Sequence, residues 1–170
     1  MNVYVFFKIQ IINLTMDREI LLLFKQKVIQ RSYQLILYKL NEFEVTERSA
    51  QESAANDTKS SMGDKHETSR EILQQEREMN GRRMAESIRQ KEEIERILPD
   101  AQFSKIQTGA LAETSLGWFF FSTALGFVHV DNVKVAVISM ASPIGQSLKG
   151  MKAGDTILFQ GKPILIKNII

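Results

Sequence analysis

Residues 29–43 read IQRSYQLILYKLNEF, and this stretch decides the fold of the N-terminal half. Apolar side chains recur here at spacings of four, three, four and three residues, at Ile29, Tyr33, Ile36, Leu40 and Phe43. This spacing is the seam of a coiled coil. A seam so narrow predicts a helix that buries one line of side chains against a partner helix, and it cannot supply the core of a compact bundle.

The residues before this seam need a separate interpretation. Residues 1–14 are apolar with one Lys, too few for a membrane-spanning helix, which needs roughly 20. They also lack the basic start and the cleavage site of a secretory signal. We predict that residues 1–15 are an extension or a start assigned too early, and that the first helix runs from Met16 to about Ala55. A short extra strand and a loosely held tail are the alternatives.

A second helix is predicted from about Asp64 to Leu98, because this stretch is rich in good helix formers and Pro99 ends it. Its candidate seam positions are Ile72, Leu73, Met79, Met84, Ile88, Ile94 and Leu98. Small polar residues, 56–63, separate the two helices and predict a turn. Helices joined by so short a turn are antiparallel neighbours. Residues 16–98 are therefore predicted to form an antiparallel coiled-coil arm with its tip near 56–67.

The pattern beyond Pro99 changes from helical to extended. Apolar and β-branched runs predict strands at 103–113, 117–123, 126–130, 133–138, 155–160 and 163–169. Turn signals separate them, at Ser115–Gly117, Asp131–Asn132, Gly150–Gly154 and Gln160–Lys162. One short helix fits Ile144–Lys149, and Trp118 with Phe119–Phe121 is expected to fill the core. The fold class is α+β, a helical arm followed by a small β-rich domain at residues 99–170.

The composition excludes several functional classes. The chain has no Cys, so disulfides, thiolate metal sites and Cys nucleophiles are ruled out. Its net charge of +2 is too small for a large nucleic-acid footprint. The charge is uneven, since residues 101–170 carry six Lys and Arg side chains against three Asp and Glu. No phosphate-binding glycine loop, nucleophile elbow or zinc spacing is present, so no autonomous active site is visible.

Two acids lie at the predicted tip of the arm. Asp64 and Glu67 are three residues apart, so at the start of a helix they face the same side. The same spacing is a capping-box-like pattern. Two exposed carboxylates can also share a hard cation such as Mg²⁺. The two roles are compatible, because one carboxylate can cap the helix and still face solvent.

The segment Ser142-Pro143-Ile144-Gly145 reads as the start of the short helix. Ser142 is a preferred N-cap residue, and Pro143 stands at the first helical position, where its missing N–H costs nothing. Backbone N–H groups at a helix start can bind an anion. From the local sequence, a structural role is the first interpretation.

The C-terminal part resembles a known family. Residues 109–126, GALAETSLGWFFFSTALG, and 138–169, ISMASPIGQSLKGMKAGDTILFQGKPILIKNI, look like the C-terminal domain of the GreA/GreB transcript cleavage factors. The most specific piece is the order Ser-Pro-Ile, Leu, Gly and Gly-Asp before the last two strands. In that family the domain is FKBP-like and follows a long antiparallel coiled coil. The acidic pair also matches the family pattern Gly-Asp-x-x-Glu, at Gly63, Asp64 and Glu67.

The resemblance implies a bacterial, cytoplasmic, monomeric transcription elongation factor that is no enzyme itself and binds no membrane. Its arm would enter the secondary channel of RNA polymerase beside the 3′ end of backtracked RNA. There Asp64 and Glu67 would act in catalysis by helping to hold the polymerase's Mg²⁺, with no cofactor of the factor's own. Ser142, Pro143, Ile144 and Gly145 would contribute to polymerase binding.

The sequence also departs from the family after the tip. Thr68, Ser69, Arg70 and Glu71 replace the usual Asn, Glu and aromatic residue, as in a divergent, Bacteroidetes-like branch. A channel binder that regulates or inhibits polymerase without stimulating cleavage is therefore the alternative function. An FKBP-like isomerase or chaperone with a helical arm is the remote alternative.

Overall fold

We describe the protein from a computed structural model, which describes residues 3–57 and 66–170. Side chains are described for residues 17–49, 51–52, 71–72 and 74–170. The elements are α1 (Val3–Asp57), α2 (His66–Glu95), β1 (Leu111–Thr114), β2 (Gly117–Ser122), β3 (Gly126–Val130), β4 (Val133–Ser139), α3 (Pro143–Leu148), β5 (Thr156–Phe159) and β6 (Lys162–Ile169). This order confirms the α+β class, two N-terminal helices followed by a β-rich domain. Within the described ranges, no helix combines the length and apolarity needed to cross a membrane.

The first helix is longer than its predicted span. α1 begins at Val3, so the prediction that it starts after Met16 was wrong. The physical reason is visible in the sequence, because residues 3–15 contain neither Gly nor Pro and nothing interrupts helical backbone geometry there. Whether translation starts at Met16 is a separate prediction that the helix boundary does not test.

The described chain divides into two compact units, which we treat separately. The β unit contains α1 up to Tyr33 together with Glu93–Ile170, and the arm unit spans Gln34–Glu92. The base of both helices therefore belongs with the sheet, whereas the sequence assigned it to the arm. The predicted domain boundary at residues 98–99 stays a prediction about independent folding.

The two helix segments inside the β unit run antiparallel. Lys25 Nζ donates a hydrogen bond to the Ala101 carbonyl at 2.5 Å, and Gln26 Nε2 donates to Asp100 Oδ1 at 2.7 Å. Two turns further along α1, the Tyr33 hydroxyl donates to Glu95 Oε1 at 3.0 Å. Partner numbers fall as α1 numbers rise, which is the antiparallel order predicted from the short connection.

The predicted seam on α1 is confirmed. Ile29 and Ile36 are buried, and the other three seam side chains are partly buried. The choice of seam on α2 was largely wrong. Ile94 is buried as predicted, but four predicted seam residues are exposed, namely Ile72, Met79, Ile88 and Leu98, while Ser87 is only 4% exposed. Small and polar side chains occupy part of the α2 seam, and apolar side chains lie outside it. A prediction from hydrophobicity alone therefore chose the wrong seam positions.

A six-stranded sheet organises the β unit, with strand order β3-β4-β2-β1-β6-β5. All neighbouring pairs are antiparallel except β2 and β4, which pair in parallel. The strand predicted at 103–113 is wrong over most of its length, because only Leu111–Thr114 is extended. Ile106 instead bonds to the segment at 150–151, and Gly109 bends the chain with φ +88°.

The two faces of the sheet hold different aromatic side chains. Phe119 and Phe121 belong to a buried cluster on one face, with Ile106, Ala110, Ala112, Leu148, Ile164 and Ile166. Phe120 alternates to the other face and is fully buried. Trp118, expected in the core, is only partly buried and meets Phe24 of α1 edge to face at 5.2 Å between ring centroids. Trp118 thus joins the sheet to the base of α1.

Two of the predicted turns are tight hairpin turns. Asp131 and Asn132 both have positive φ, 50° and 64°, between β3 and β4. Gln160 and Gly161 do the same between β5 and β6, with φ 50° and 76°. Positive φ at two successive positions is the geometry of the turn that best matches the twist of paired strands. The Asp-Asn and Gln-Gly pairs therefore indicated the correct hairpins.

Candidate functional site

The predicted tip acids lie outside the part of the chain that can be assessed. Asp64 falls in the undescribed segment, residues 58–65, and Glu67 lies in the first turn of α2 with its side chain undescribed. Their capping and metal-holding roles stay predictions. Among the side chains described, no group of three or more His, Asp or Glu residues could hold a metal ion.

Ser142 caps α3 as its sequence predicts. Its backbone is extended, with φ −67° and ψ 153°, and its Oγ accepts a hydrogen bond from the Gly145 N–H at 3.1 Å. The same hydroxyl donates to the Ser139 carbonyl at 2.7 Å. The Ser142 side chain therefore links the end of β4 to the start of α3, and both of its hydrogen bonds are made inside the turn.

Gly145 fills a place where no other residue fits. A Cβ atom built on it would lie 2.4 Å from the Ser139 carbonyl oxygen, 2.9 Å from Ser142 Oγ and 3.0 Å from Met140 Cα. Two of these three neighbours are backbone atoms, which cannot rotate away. The glycine of the Ser-Pro-Ile-Gly motif is thus required by the close approach of α3 to the end of β4.

The other two motif residues differ in exposure. Pro143 occupies the first helical position and is exposed, whereas Ile144 is partly buried and packs against the core cluster of Phe119 and Phe121. Of the four motif residues predicted to bind a partner, Ser142 and Gly145 shape the turn and Pro143 offers most of the accessible surface. We call residues 139–145 the Ser142 turn.

A group of exposed lysines lies near the C-terminal end of α3, at the other end of the helix from this turn. The Gly150 N–H donates to the Ile106 carbonyl and the Ile106 N–H donates to the Met151 carbonyl, both at 2.8 Å. These two bonds bring the backbone of Lys105 next to the segment carrying Lys149 and Lys152. All three lysines are exposed, and we call them the lysine group. The uneven charge of the sequence signalled an excess here, but not that residues so far apart meet.

The Gly-Asp pair of the motif completes the segment. The Gly154 N–H donates to the Ile166 carbonyl at 2.8 Å, and the Ile166 N–H donates to the Asp155 carbonyl at 2.9 Å. The Asp155 carboxylate accepts from the Lys152 N–H at 2.7 Å. Gly154, with φ +93°, makes this bend possible. Gly154 and Asp155 therefore attach this segment to β6, and the Asp155 carboxylate holds the backbone of Lys152, one residue of the lysine group.

Lys25, at the base of α1, was not singled out by the sequence. Its side chain is fully buried, with Nζ 4.6 Å from the centre of the Phe103 ring. Burial lowers the pKa of Lys25 to about 8, against the opposing attraction of Asp100. The bonds to the Ala101 carbonyl and the ring offset part of the cost of burying the charge. Its arrangement is structural, because it fastens α1 to the segment that leads into the sheet.

Comparisons with known proteins add a structural match. No family model matches the sequence, and no curated protein matches it. Among solved structures, the crystal structure of Thermus aquaticus Gfh1 aligns with 82% of this chain and 94% of that chain, at 18% identity and a TM-score of 0.29. The resemblance of the sequence to the Gre factors accordingly stands on its own residues.

Proposed function

We propose that this protein is a Gre-type transcription elongation factor that binds RNA polymerase through its β unit and acts through the tip of its helices. The observation that carries the proposal is the Ser142 turn. The residues that resemble the family's most specific motif each have a defined place, the cap and glycine at the start of α3 and the Gly-Asp bend against β6. Two N-terminal helices precede this domain, as the resemblance implies.

The partner surface that we propose combines Pro143 with the lysine group. Pro143 is the exposed residue of the motif, and the three exposed lysines beyond the C-terminal end of α3 supply positive charge. Exposed charges of one sign chiefly accelerate association with a partner of opposite sign. We therefore propose an acidic, helical or loop surface of the polymerase as the binding partner of this face.

Binding can be tested by charge reversal. Lys149→Glu with Lys152→Glu should slow association with purified cognate RNA polymerase and weaken binding at low salt, with a smaller effect at high salt. Lys134→Glu with Lys162→Glu is the matched control, since it changes the net charge equally at exposed positions on β4 and β6. Equal losses in both pairs would remove the lysine group from the proposed interface.

Activity can be tested on stalled transcription complexes. We expect the wild-type protein to stimulate cleavage of backtracked RNA, with Asp64 and Glu67 contributing carboxylate oxygens toward the polymerase's Mg²⁺. Asp64→Asn and Glu67→Gln keep a cap and a capping-box partner but remove charged ligands, so both should bind and fail to stimulate fully. Glu76→Gln, an exposed position further along α2, is the control.

The second candidate function is regulation of polymerase without cleavage. It is favoured by Thr68, Ser69 and Arg70, which replace the residues that usually follow the tip acids in the family. Under this alternative, the wild-type protein would bind polymerase and slow elongation but leave backtracked RNA intact. The cleavage assay with wild-type protein separates the two functions.

A further inference from the structure

A largely apolar cavity of about 580 Å³ opens in the β unit. Its walls come from the end of α2, the segment that follows it, and the ends of β2 and β4. The apolar lining side chains are Ile97, Leu98, Ala101, Phe103, Met140 and Ala141. Small-molecule sites commonly have volumes of about 300–1,000 Å³ and such a lining. We call it the Ser122 cavity, after its most informative residue.

Ser122 lines this cavity with an unsatisfied hydroxyl. The residue is the last of β2 and is 7% exposed. Its Oγ is buried and makes no hydrogen bond with the described part of the chain. Buried polar atoms in proteins almost always have a partner, so an exception inside a cavity points to a ligand that supplies one.

The other two hydroxyls of the lining, those of Ser139 and Thr108, are less deeply buried than Ser122. Ser139, which pairs with Ser122 across β4 and β2, accepts a bond at its Oγ from the Ala141 N–H at 3.1 Å. Thr108 is exposed. The lining therefore directs one buried polar contact toward a bound molecule, at Ser122.

The charge of the cavity favours a neutral ligand. Its lining contains one acidic and one basic side chain, Glu93 and Arg96, and both residues are exposed. Their charges cancel, so the cavity has no net attraction for an ion. Phe103 and Met140 offer an aromatic ring and a polarisable thioether, which both pack well against a flat aromatic molecule.

We propose that the Ser122 cavity binds a small, uncharged aromatic molecule of about bicyclic size, whose one polar group hydrogen-bonds to Ser122 Oγ. The cavity shares residues 139–141 with the Ser142 turn, but the proposed binding of a small molecule does not rest on the proposed function. It would hold if the protein proved to have no role in transcription, and a failure of it would leave the lysine group and the tip acids unaffected.

The test uses the full chain and two fluorinated probes followed by ¹⁹F NMR. 5-Fluoroindole carries an N–H group, and 5-fluorobenzothiophene has nearly the same shape without it. We expect saturable binding of the indole, with the benzothiophene about three- to tenfold weaker, which is the range for one ordinary hydrogen bond. Ser122→Ala should weaken the indole by the same factor and leave the benzothiophene unchanged.

Two further variants separate the cavity from other surfaces. Ser104→Ala removes an exposed hydroxyl outside the cavity and should change neither affinity. Ala141→Phe adds bulk to the lining and should abolish binding of both probes. Absence of saturable binding, equal affinities for the two probes, or indole binding that survives Ala141→Phe would each overturn the proposal. The comparison of the two probes on wild-type protein needs no variant, so it holds even if Ser122→Ala fails to fold.

Discussion

The ammonium group of Lys25 lies over the ring of Phe103, 4.6 Å from its centre, at the point where α1 meets the chain entering the sheet. The side chain is fully buried, and its Nζ donates to the Ala101 carbonyl. The charge of Lys25 is therefore buried in an apolar environment, so the free energy of unfolding depends on whether Lys25 is protonated.

The pH dependence of stability should show this burial. Burial lowers the pKa of Lys25 from 10.5 to about 8, so between these values the unfolded chain holds a proton that the folded chain has lost. Stability must then rise with pH across that window, by roughly 2–3 kcal/mol at most. Thermal unfolding from pH 7.5 to 10 checks this. Lys25→Met should flatten the rise, while the exposed control Lys27→Met should keep it.

Substitution of Gly145 should damage the Ser142 turn. Gly145→Ala places a Cβ against the Ser139 carbonyl oxygen and should cost about 1–3 kcal/mol of unfolding free energy. Gly81→Ala is the matched control, because Gly81 lies within α2 with nothing within 4 Å of its Cβ position. The control should stabilise its helix by about 0.5–1 kcal/mol. Chemical denaturation measures both, and similar signs would contradict the geometry.

Loss of the Ser142 cap should destabilise the Ser142 turn. Ser142→Ala removes the acceptor for the Gly145 N–H and the donor to the Ser139 carbonyl, and should cost about 1–2 kcal/mol. Ser142→Asp keeps an acceptor for the cap but cannot donate to that carbonyl. Its loss of stability should therefore exceed that of Ser142→Ala, because a negative charge stands next to the carbonyl oxygen of Ser139. Unfolding in urea gives the order, and an alanine variant as stable as wild type would remove the structural role.

The ring contact between Phe24 and Trp118 gives an optical reporter. Trp118 is the only tryptophan, so its fluorescence reports directly on the packing of α1 against the sheet. Phe24→Ala should shift the emission to longer wavelength and cost about 1–3 kcal/mol, because both rings are only partly buried. Phe127→Ala, on exposed β3, should leave the emission unchanged. An unshifted spectrum for Phe24→Ala would show that the two rings are apart in solution.

The unpartnered hydroxyl of Ser122 should make an alanine stabilising. A buried hydroxyl without a hydrogen bond costs about 1–3 kcal/mol relative to its hydrated state, and Ser122→Ala removes that cost. We expect a gain of about 1 kcal/mol in urea unfolding of the free protein. Ser32→Ala is the contrasting control, because Ser32 is equally buried but donates to the Val28 carbonyl at 2.7 Å. That variant should not gain stability.

The sequence predicted what local chemistry determines. The hairpin at Asp131–Asn132 and the cap at Ser142 follow from residue types that favour one backbone geometry, and both are confirmed. The α1 seam is confirmed for the same reason, since apolar periodicity alone specifies it. These elements need no knowledge of distant parts of the chain.

The failures share a different cause. Ser87 occupies the α2 seam and Ile88 does not, because the partner helix decides which side chains are covered. The strand predicted from residue 103 is absent because Ile106 bonds to residues more than forty positions away. The sequence did not single out Lys25, because its burial results from contacts with Phe103 and Ala101, which are distant in the chain. The lysine group and the Ser122 cavity are likewise products of tertiary contacts, which composition signals only as an excess of charge.

The strand order has a consequence for synthesis of the protein on the ribosome. β1 lies between β2 and β6, and Glu113 of β1 pairs with Asn168 of β6. A nascent chain that has emerged through β4 can form the β2, β3 and β4 layer but leaves one side of β1 without its neighbour. The chain must therefore pass through a stage with an open sheet edge during translation, when pairing with other nascent chains competes with completion of the domain. The Asp-Asn hairpin and the parallel β2–β4 pair can form in that interval, and β6 covers the open side of β1 only afterwards.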